Sequence, residues 1–265
     1  MNVSILGCGW LGLPLAKRLI EKGYSVKGST TSMEKLGVLE AERIQPFLID
    51  LTEAKVTGNV ADFLANAAVL IIDIPPKLRG ENKENFVQKI QHLIPFIEAS
   101  KIEKVLFVSS TSVYGEDETL VTEETIPNPD TESGKQLLQV EKQLQSNPNF
   151  KTTVLRFGGL IGGNRHPVKF LAGKENVENP EAAINFIHQE DCIAIIEKII
   201  QKNAFGDVFN AVAPFHPTRK EYYLKKAVEF HLSAPKFKKN GGKGKIIDSH
   251  KIISVLNHSF ALDLY

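Results

Sequence analysis

Four short runs of this chain carry residues whose types and spacing could do chemistry. Near the start, Gly7-Cys8-Gly9-Trp10-Leu11-Gly12 spaces its glycines as G-x-G-x-x-G, directly after the β-branched run Val3-Ser4-Ile5-Leu6 and before Leu13-Pro14-Leu15-Ala16. A turn of this kind between a strand and a helix is a cradle for a pyrophosphate. Gly7 permits the tight turn, Gly9 lets the backbone approach the phosphates, and Gly12 lets the helix pack close to the strand. The helix start, with Trp10 and Leu11 in its approach, adds unpaired N–H groups and a positive dipole end. In Phe107-Val108-Ser109-Ser110-Thr111-Ser112-Val113-Tyr114-Gly115, Ser110 offers a hydroxyl to orient a reacting oxygen. Tyr114 in the same run is either a proton carrier or an aromatic wall of a pocket. Asp73-Ile74-Pro75 ends an apolar run: the carboxylate is a base, a cofactor neighbour, or a residue that only closes a turn. Arg165-His166 is a basic pair that either holds an anionic substrate or belongs to a surface loop.

The end of the second apolar run bears on the choice of cofactor. NAD-binding corners place an acid there, about 20 residues past the glycines, to hold the ribose 2′-OH. This chain has Gly28-Ser29-Thr30-Thr31-Ser32 instead, with Lys35 one helical turn further on. Hydroxyls accept a 2′-phosphate that a carboxylate would repel, so NADP is favoured over NAD. Ser32 is also a good helix N-cap, and both roles are compatible.

The elements that must position these residues alternate in type. Strands are expected near Val3–Leu6, Ser25–Gly28, Gln45–Ile49, Ala68–Asp73, Lys104–Ser109 and Thr152–Arg156, with helices near residues 11–21, 33–39, 85–100 and 132–145. Such alternation predicts an α/β protein, a Rossmann-type doubly wound parallel sheet. The runs Val69–Ile72 and Val105–Val108 are apolar on both faces, as central strands covered by helices should be. Residues 1–156 form the expected dinucleotide-binding domain. Residues 157–265 are more irregular and are read as the last sheet strand plus a small substrate-binding lobe. Within them His188 is expected to anchor a turn and Asp191 to cap a helix beginning near Cys192, while the lysine-rich run 235–245 reads as a solvated loop.

Composition removes several classes. The 265 residues carry 32 basic and 31 acidic side chains, a net charge of +1, so no nucleic-acid partner is expected. Cys8 and Cys192 are the two cysteines, which argues against a disulfide framework and fits a reducing cytoplasm. No apolar run is long enough for a membrane span, and the first strand leaves no room for a signal peptide. The scattered histidines have no ligand spacing, so no metal is expected. A monomer or a homodimer is compatible with this composition.

The segment Ser109-Ser110-Thr111-Ser112-Val113-Tyr114-Gly115 resembles the "SS-x-x-V-Y-G" of the extended short-chain dehydrogenase/reductase superfamily. Leu155-Arg156 through Gly162, Asn185 through Ile193, and Asp207 through Ala211 are similar to three later segments of that superfamily, in the same order. Gly7 through Gly12 and Arg156 through Pro167 look most like its bacterial sugar-nucleotide epimerase/dehydratase-like branch. The resemblance implies a nicotinamide cofactor and a sugar or sugar-nucleotide substrate. It also implies a serine at Ser110 and a Y-x-x-x-K pair at the start of the helix near 132–145, whose lysine binds the nicotinamide ribose and lowers the phenol pKa. Matching Lys135 to that lysine puts Thr131 in the tyrosine's place, and an aliphatic hydroxyl does not titrate near neutral pH. The candidate catalytic set is therefore Ser110, Tyr114, Lys135 and Thr131. A literal Y-x-x-x-K at Tyr222 and Lys226 lies far from the expected helix and is discounted. The missing tyrosine also fits a second reading, a non-catalytic NADP(H)-binding redox sensor or regulator resembling the NmrA-like proteins.

Overall fold

The alternating pattern resolves into one all-parallel sheet. The structure is a computed structural model that describes residues 1–76, 78, 84–116 and 119–265. Its seven sheet strands are β1 (Asn2–Leu6), β2 (Ser25–Thr30), β3 (Gln45–Leu48), β4 (Val69–Ile72), β5 (Lys104–Ser110), β6 (Lys151–Phe157) and β7 (Val208–Ala211). They lie in the order 3-2-1-4-5-6-7. Strand order reverses between β1 and β4. In doubly wound sheets the crevice beyond the strand C-termini at such a reversal is where ligands bind.

Burial explains the strand assignments. All four residues of β4 and the Val105–Phe107 stretch of β5 are fully buried, because helices cover both faces of the sheet. On one face lie α1 (Gly12–Glu21) and α7 (Gln189–Gln201), packing Leu15 and Leu19 in one cluster with Ile195, Ile196 and Ile199. The other face holds α3 (Val60–Leu64), α4 (Phe86–Ser100) and α5 (Glu132–Gln145), with Ile90, Leu93, Val140 and Leu144 inward. The short α2 (Glu34–Ala41) connects β2 to β3. Asn85 caps α4, and Thr131 caps α5 by accepting the Gly134 N–H at 3.1 Å.

After β6 the chain builds a smaller lobe. Gly159–Ile161 pairs with Phe186–His188, while α6 (Val168–Leu171) and α8 (Arg219–Glu229) share an apolar centre of Val168, Ile184, Tyr222, Tyr223 and Ala227. Strand β7 returns to the sheet edge, and α9 (His250–Leu256) packs against it. Among the described residues no helix is long and apolar enough to cross a membrane.

Three local expectations change. His188, not Asp191, caps α7: its Nδ1 accepts the Glu190 N–H at 3.2 Å. Asp191 turns inward instead, accepting from Tyr265 Oη at 2.8 Å and lying 3.0 Å from His258 Nε2, which ties the C-terminal segment to the lobe. Lys245 leaves the solvated run. It is buried, and its ammonium donates to the Tyr114 carbonyl at 2.7 Å and to Glu116 at 2.8 Å, because pairing of Ile246–Ile247 with Leu120–Val121 draws the chain inward. Ser32 does not cap α2, which starts at Glu34 without a side-chain cap. Its own N–H is held by Thr30 Oγ1 at 3.1 Å.

Candidate functional site

A cleft of about 460 Å³ opens at the strand reversal. Its floor is the glycine turn, and the geometry there separates three roles. At Gly7, φ is +105°, and a Cβ would stand 2.3 Å from the Asp73 carbonyl oxygen. A Cβ on Gly12 would stand 2.1 Å from the Gly7 carbonyl oxygen. Both positions therefore need glycine for close backbone packing. Gly9 differs: a Cβ there would meet nothing within 4 Å, so the space above it is open toward the cleft. Helix α1 starts with no side-chain cap from Leu11 and no acidic residue in its first turn, an N-terminus suited to an anion. These features fit a dinucleotide pyrophosphate.

Gly7, Gly9, Trp10, Leu11, Ser29, Thr30, Thr31, Asp73, Ile74, Pro75 and Ser110, all expected at the site, line this one cleft. Gly12 supports the turn from below. Ser29 serves the turn rather than a phosphate, because its Oγ accepts the Gly7 N–H at 2.9 Å. Thr31 is exposed and, with Lys35, lines the end beside β2. Ser32 lies outside the lining. The Ser110 Oγ accepts the Ser112 N–H at 3.1 Å, which leaves its own proton to donate. Burial pushes the Asp73 carboxyl up to about 8, opposed by the Gly12 N–H that bonds it. Cys8 is buried, and burial followed by the nearby Asp73 pushes its thiol up to about 12, so it is not a nucleophile at neutral pH.

The expected proton relay is not assembled. Tyr114 is sealed in the core: its hydroxyl accepts from Arg156 Nη1 at 2.6 Å and donates to Asn210 Oδ1 at 2.9 Å. Burial raises its pKa further, more than the adjacent Arg156 lowers it. The phenol thus acts as a structural link, and Tyr114→Phe is expected to cost about 1–3 kcal/mol of stability. Cofactor affinity should be unchanged. Urea unfolding with a parallel calorimetric titration checks both; a large loss of affinity in a stably folded variant would return Tyr114 to the site.

Helix α5 is also turned differently from the expectation. Thr131 is spent on the cap, and Lys135 lies on the exposed side. The α5 residue that lines the cleft is Leu137, and four residues back on the same face stands Ser133. The side of α5 facing the cleft thus carries neither a phenol nor an ammonium. The physical reason is register: the helix starts after Thr131, and its inward stripe runs through Leu137, Val140, Glu141 and Leu144.

Beneath Ser109 lies a buried ionic chain. The Ser109 Oγ donates to Glu141 at 2.5 Å, and Glu141 accepts from Arg156 Nη2 at 2.6 Å, both side chains being essentially excluded from solvent. Arg156 continues to Tyr114 and Asn210. Sequence patterning could not reveal this chain, because its members come from β5, α5, β6 and β7.

Arg165 reaches the cleft and His166 does not. The Arg165 guanidinium stacks on the Trp10 indole at 5.3 Å and borders the cleft. It also borders a second cavity of about 110 Å³, with His166, His188, Tyr222 and Lys226. The discounted Tyr222 and Lys226 therefore share a small cationic pocket beside the cleft. Asp50 and Leu51 just beyond β3, and Lys89 on α4, are among the lining residues that went unread in the sequence. The position of Asp50 past a strand end was a usable signal; nothing in the sequence singled out Lys89. Among the described residues no cluster of three or more His, Cys, Asp or Glu could hold a metal ion.

Comparison with known proteins identifies the family. The sequence profile of the "NAD dependent epimerase/dehydratase family" matches residues 3–212, from β1 to just beyond β7. The chain belongs to this family. It is 36% identical over 262 residues to the protein YeeZ of Escherichia coli, covering 98% of this chain and 95% of that protein. A structure of the UDP-glucuronic acid 4-epimerase of Bacillus cereus in complex with NAD superimposes with a TM-score of 0.81 at 19% identity, covering 98% of this chain and 92% of that one. MoeE5 in complex with UDP-glucuronic acid and NAD gives a TM-score of 0.79 at 18% identity, with 98% and 94% covered. At those identities the likeness speaks for the fold alone. The side of α5 turned to the cleft lacks the phenol and the ammonium that the resemblance implied.

Proposed function

We propose that this protein binds a nicotinamide dinucleotide, NADP in preference to NAD, and acts on a sugar or sugar nucleotide as an oxidoreductase or epimerase/dehydratase-like enzyme. The observation that carries the reading is the continuous cleft, open above Gly9, that runs past Ser110 to the Arg165 guanidinium. When bound, the cofactor supplies hydride exchange. The protein's part is placement. The start of α1 meets the pyrophosphate, Ser110 donates to the reacting oxygen, and Arg165 with the Lys226 pocket receives an anionic group such as a substrate phosphate. UDP-sugars bound to structural neighbours support that substrate class.

The cofactor preference rests on Thr31 and Lys35, which line the cleft where NAD-binding corners carry an acid. Asp50, across the same end, belongs to the stretch after β3. Lys35→Ala is expected to weaken NADP binding about tenfold and leave NAD unaffected, the size of one lost charge-assisted bond. Calorimetry on parent and variant decides it: tighter binding of NAD than of NADP by the parent rejects the preference.

One observation favours the second reading, a dinucleotide-binding redox sensor or regulator without turnover: Ser133 and Leu137 occupy the cleft-facing side of α5. A panel of nucleotide sugars with NADP or NAD separates the two. Turnover that falls on Ser110→Ala supports the enzyme; tight NADP binding with no turnover of any panel member supports the sensor.

A further inference from the structure

We propose that the cavity of about 110 Å³ beside the cleft seats a terminal phosphate, so that the substrate is a sugar phosphate monoester rather than a nucleotide sugar. The inference rests on the reading that the cleft holds a nicotinamide dinucleotide with a sugar near Ser110, and it names the substrate class for that site. Three elements bring donors to the cavity. The Gly162 and Arg165 backbones exchange hydrogen bonds at 3.0 and 2.9 Å, closing a tight turn that holds Arg165 where the cavity meets the cleft. At the start of α7, His188 is fixed twice. Its backbone N–H donates to Tyr265 Oη at 2.8 Å, and its Nδ1 accepts the Glu190 N–H, which leaves the ring proton on Nε2. That nitrogen stands over Gly162, where φ is +98° and a Cβ would come within 2.2 Å of it. From α8, Tyr222 is 6% exposed and packs edge-on against Phe186 and Tyr223, and its hydroxyl has no hydrogen-bond partner among the described residues. One helical turn further on is Lys226, half-buried, its ammonium 2.8 Å from Glu229.

No carboxylate lines this space, and the donors outnumber what a small anion can use. A carboxylate offers them two oxygens and one charge. A phosphate monoester offers three oxygens and a charge of about −1.5 to −2 at neutral pH, which suits a guanidinium, an ammonium, an imidazole N–H and a phenol O–H together. Size decides against the nucleotide. Sites that enclose a whole small molecule start from about 300 Å³, so this cavity takes a group and not a base with its ribose. Ile161, Val168 and the Phe230 ring, against which His166 stacks at 4.6 Å, wall it on the remaining sides. Arg165 borders both spaces, so a sugar attached to the seated phosphate extends past the guanidinium toward Ser110.

Titration calorimetry on the NADP-saturated protein tests this, with glucose and galactose as free sugars, as 1-phosphates, as 6-phosphates and as UDP esters. At least one monophosphate is expected to bind about tenfold or more tightly than the free sugar and the UDP ester, the size of one charge-assisted hydrogen bond. Tyr222→Phe keeps the ring packing and Lys226→Met keeps the apolar stem. Each should weaken monophosphate binding about tenfold and leave the Kd for NADP unchanged. UDP esters that bind more tightly than every monophosphate, or monophosphate affinity indifferent to both substitutions, overturn the inference while the cofactor reading stands. Protein that binds NADP but none of the probes also overturns it, and favours the sensor. Protein that binds neither NADP nor NAD overturns both readings. The ranking of probes on the parent decides even where a variant fails to fold.

Discussion

Gly9→Val is expected to remove dinucleotide binding while leaving the fold untouched. The two effects separate because the added side chain has open space around it: a Cβ at Gly9 meets no atom within 4 Å, and the backbone there is not in the left-handed region. A valine fills the volume through which the phosphates must approach the start of α1. The Kd for NADP should rise more than about 100-fold, about 2.7 kcal/mol or more. The melting temperature of the free protein should hold. In a thermal-shift experiment, parent protein at about 100 times its Kd gains about 2.7 kcal/mol of stability from the cofactor, and the variant gains essentially none. Equal affinity in parent and variant would show that the phosphates do not cross Gly9. The neighbouring glycines cannot give so clean a test, because a Cβ at Gly7 or Gly12 runs into backbone oxygen at 2.3 or 2.1 Å.

The second large effect concerns stability. Glu141→Ala strips the partner from Arg156, which is 5% exposed and donates three hydrogen bonds to that carboxylate. An unpaired cation left in the core costs about 3–5 kcal/mol, a large part of the roughly 5–15 kcal/mol that holds a domain folded. Urea unfolding should show that loss as a lower midpoint. Replacing both partners with apolar residues of similar volume, Glu141→Leu with Arg156→Met, should recover much of it, because neither charge is then stranded. A single Glu141→Ala variant as stable as the parent would mean that water reaches Arg156. The chain also supports the site, since Ser109 at the cleft donates to Glu141. Slackening of the β5 end around Ser110 should accompany the loss.

The two results also mark where sequence reading succeeds. The glycine turn was legible because its chemistry is local: spacing, a preceding strand and a following helix are all within about a dozen residues. The same holds for the six runs read as strands, which form β1 to β6, and the two read as apolar on both faces, Val69–Ile72 and Val105–Val108, lie in the central strands β4 and β5. The catalytic assignments were less legible. Thr131 was placed by counting back from Lys135, yet the helix presents Leu137 to the cleft, since which side of a helix faces inward depends on how its apolar stripe meets the sheet. Tyr114 follows the strand that carries Ser110, but its ring turns away into the Arg156 and Asn210 network.

The sequence alone determined the order of elements, the doubly wound class and the position of the glycine turn, because each depends on residues adjacent in the chain. It also determined that no acid stands at the end of β2. Only the tertiary structure decided which side chains share a space: Lys89 and Leu137 in the cleft, Tyr222 and Lys226 beside Arg165, and Asp73 against Gly12. These pairings join residues about fifty to sixty positions apart, or depend on a helix's rotation about its axis. Neither is encoded in local spacing; both are fixed when apolar faces pack and each buried polar group must find its partner.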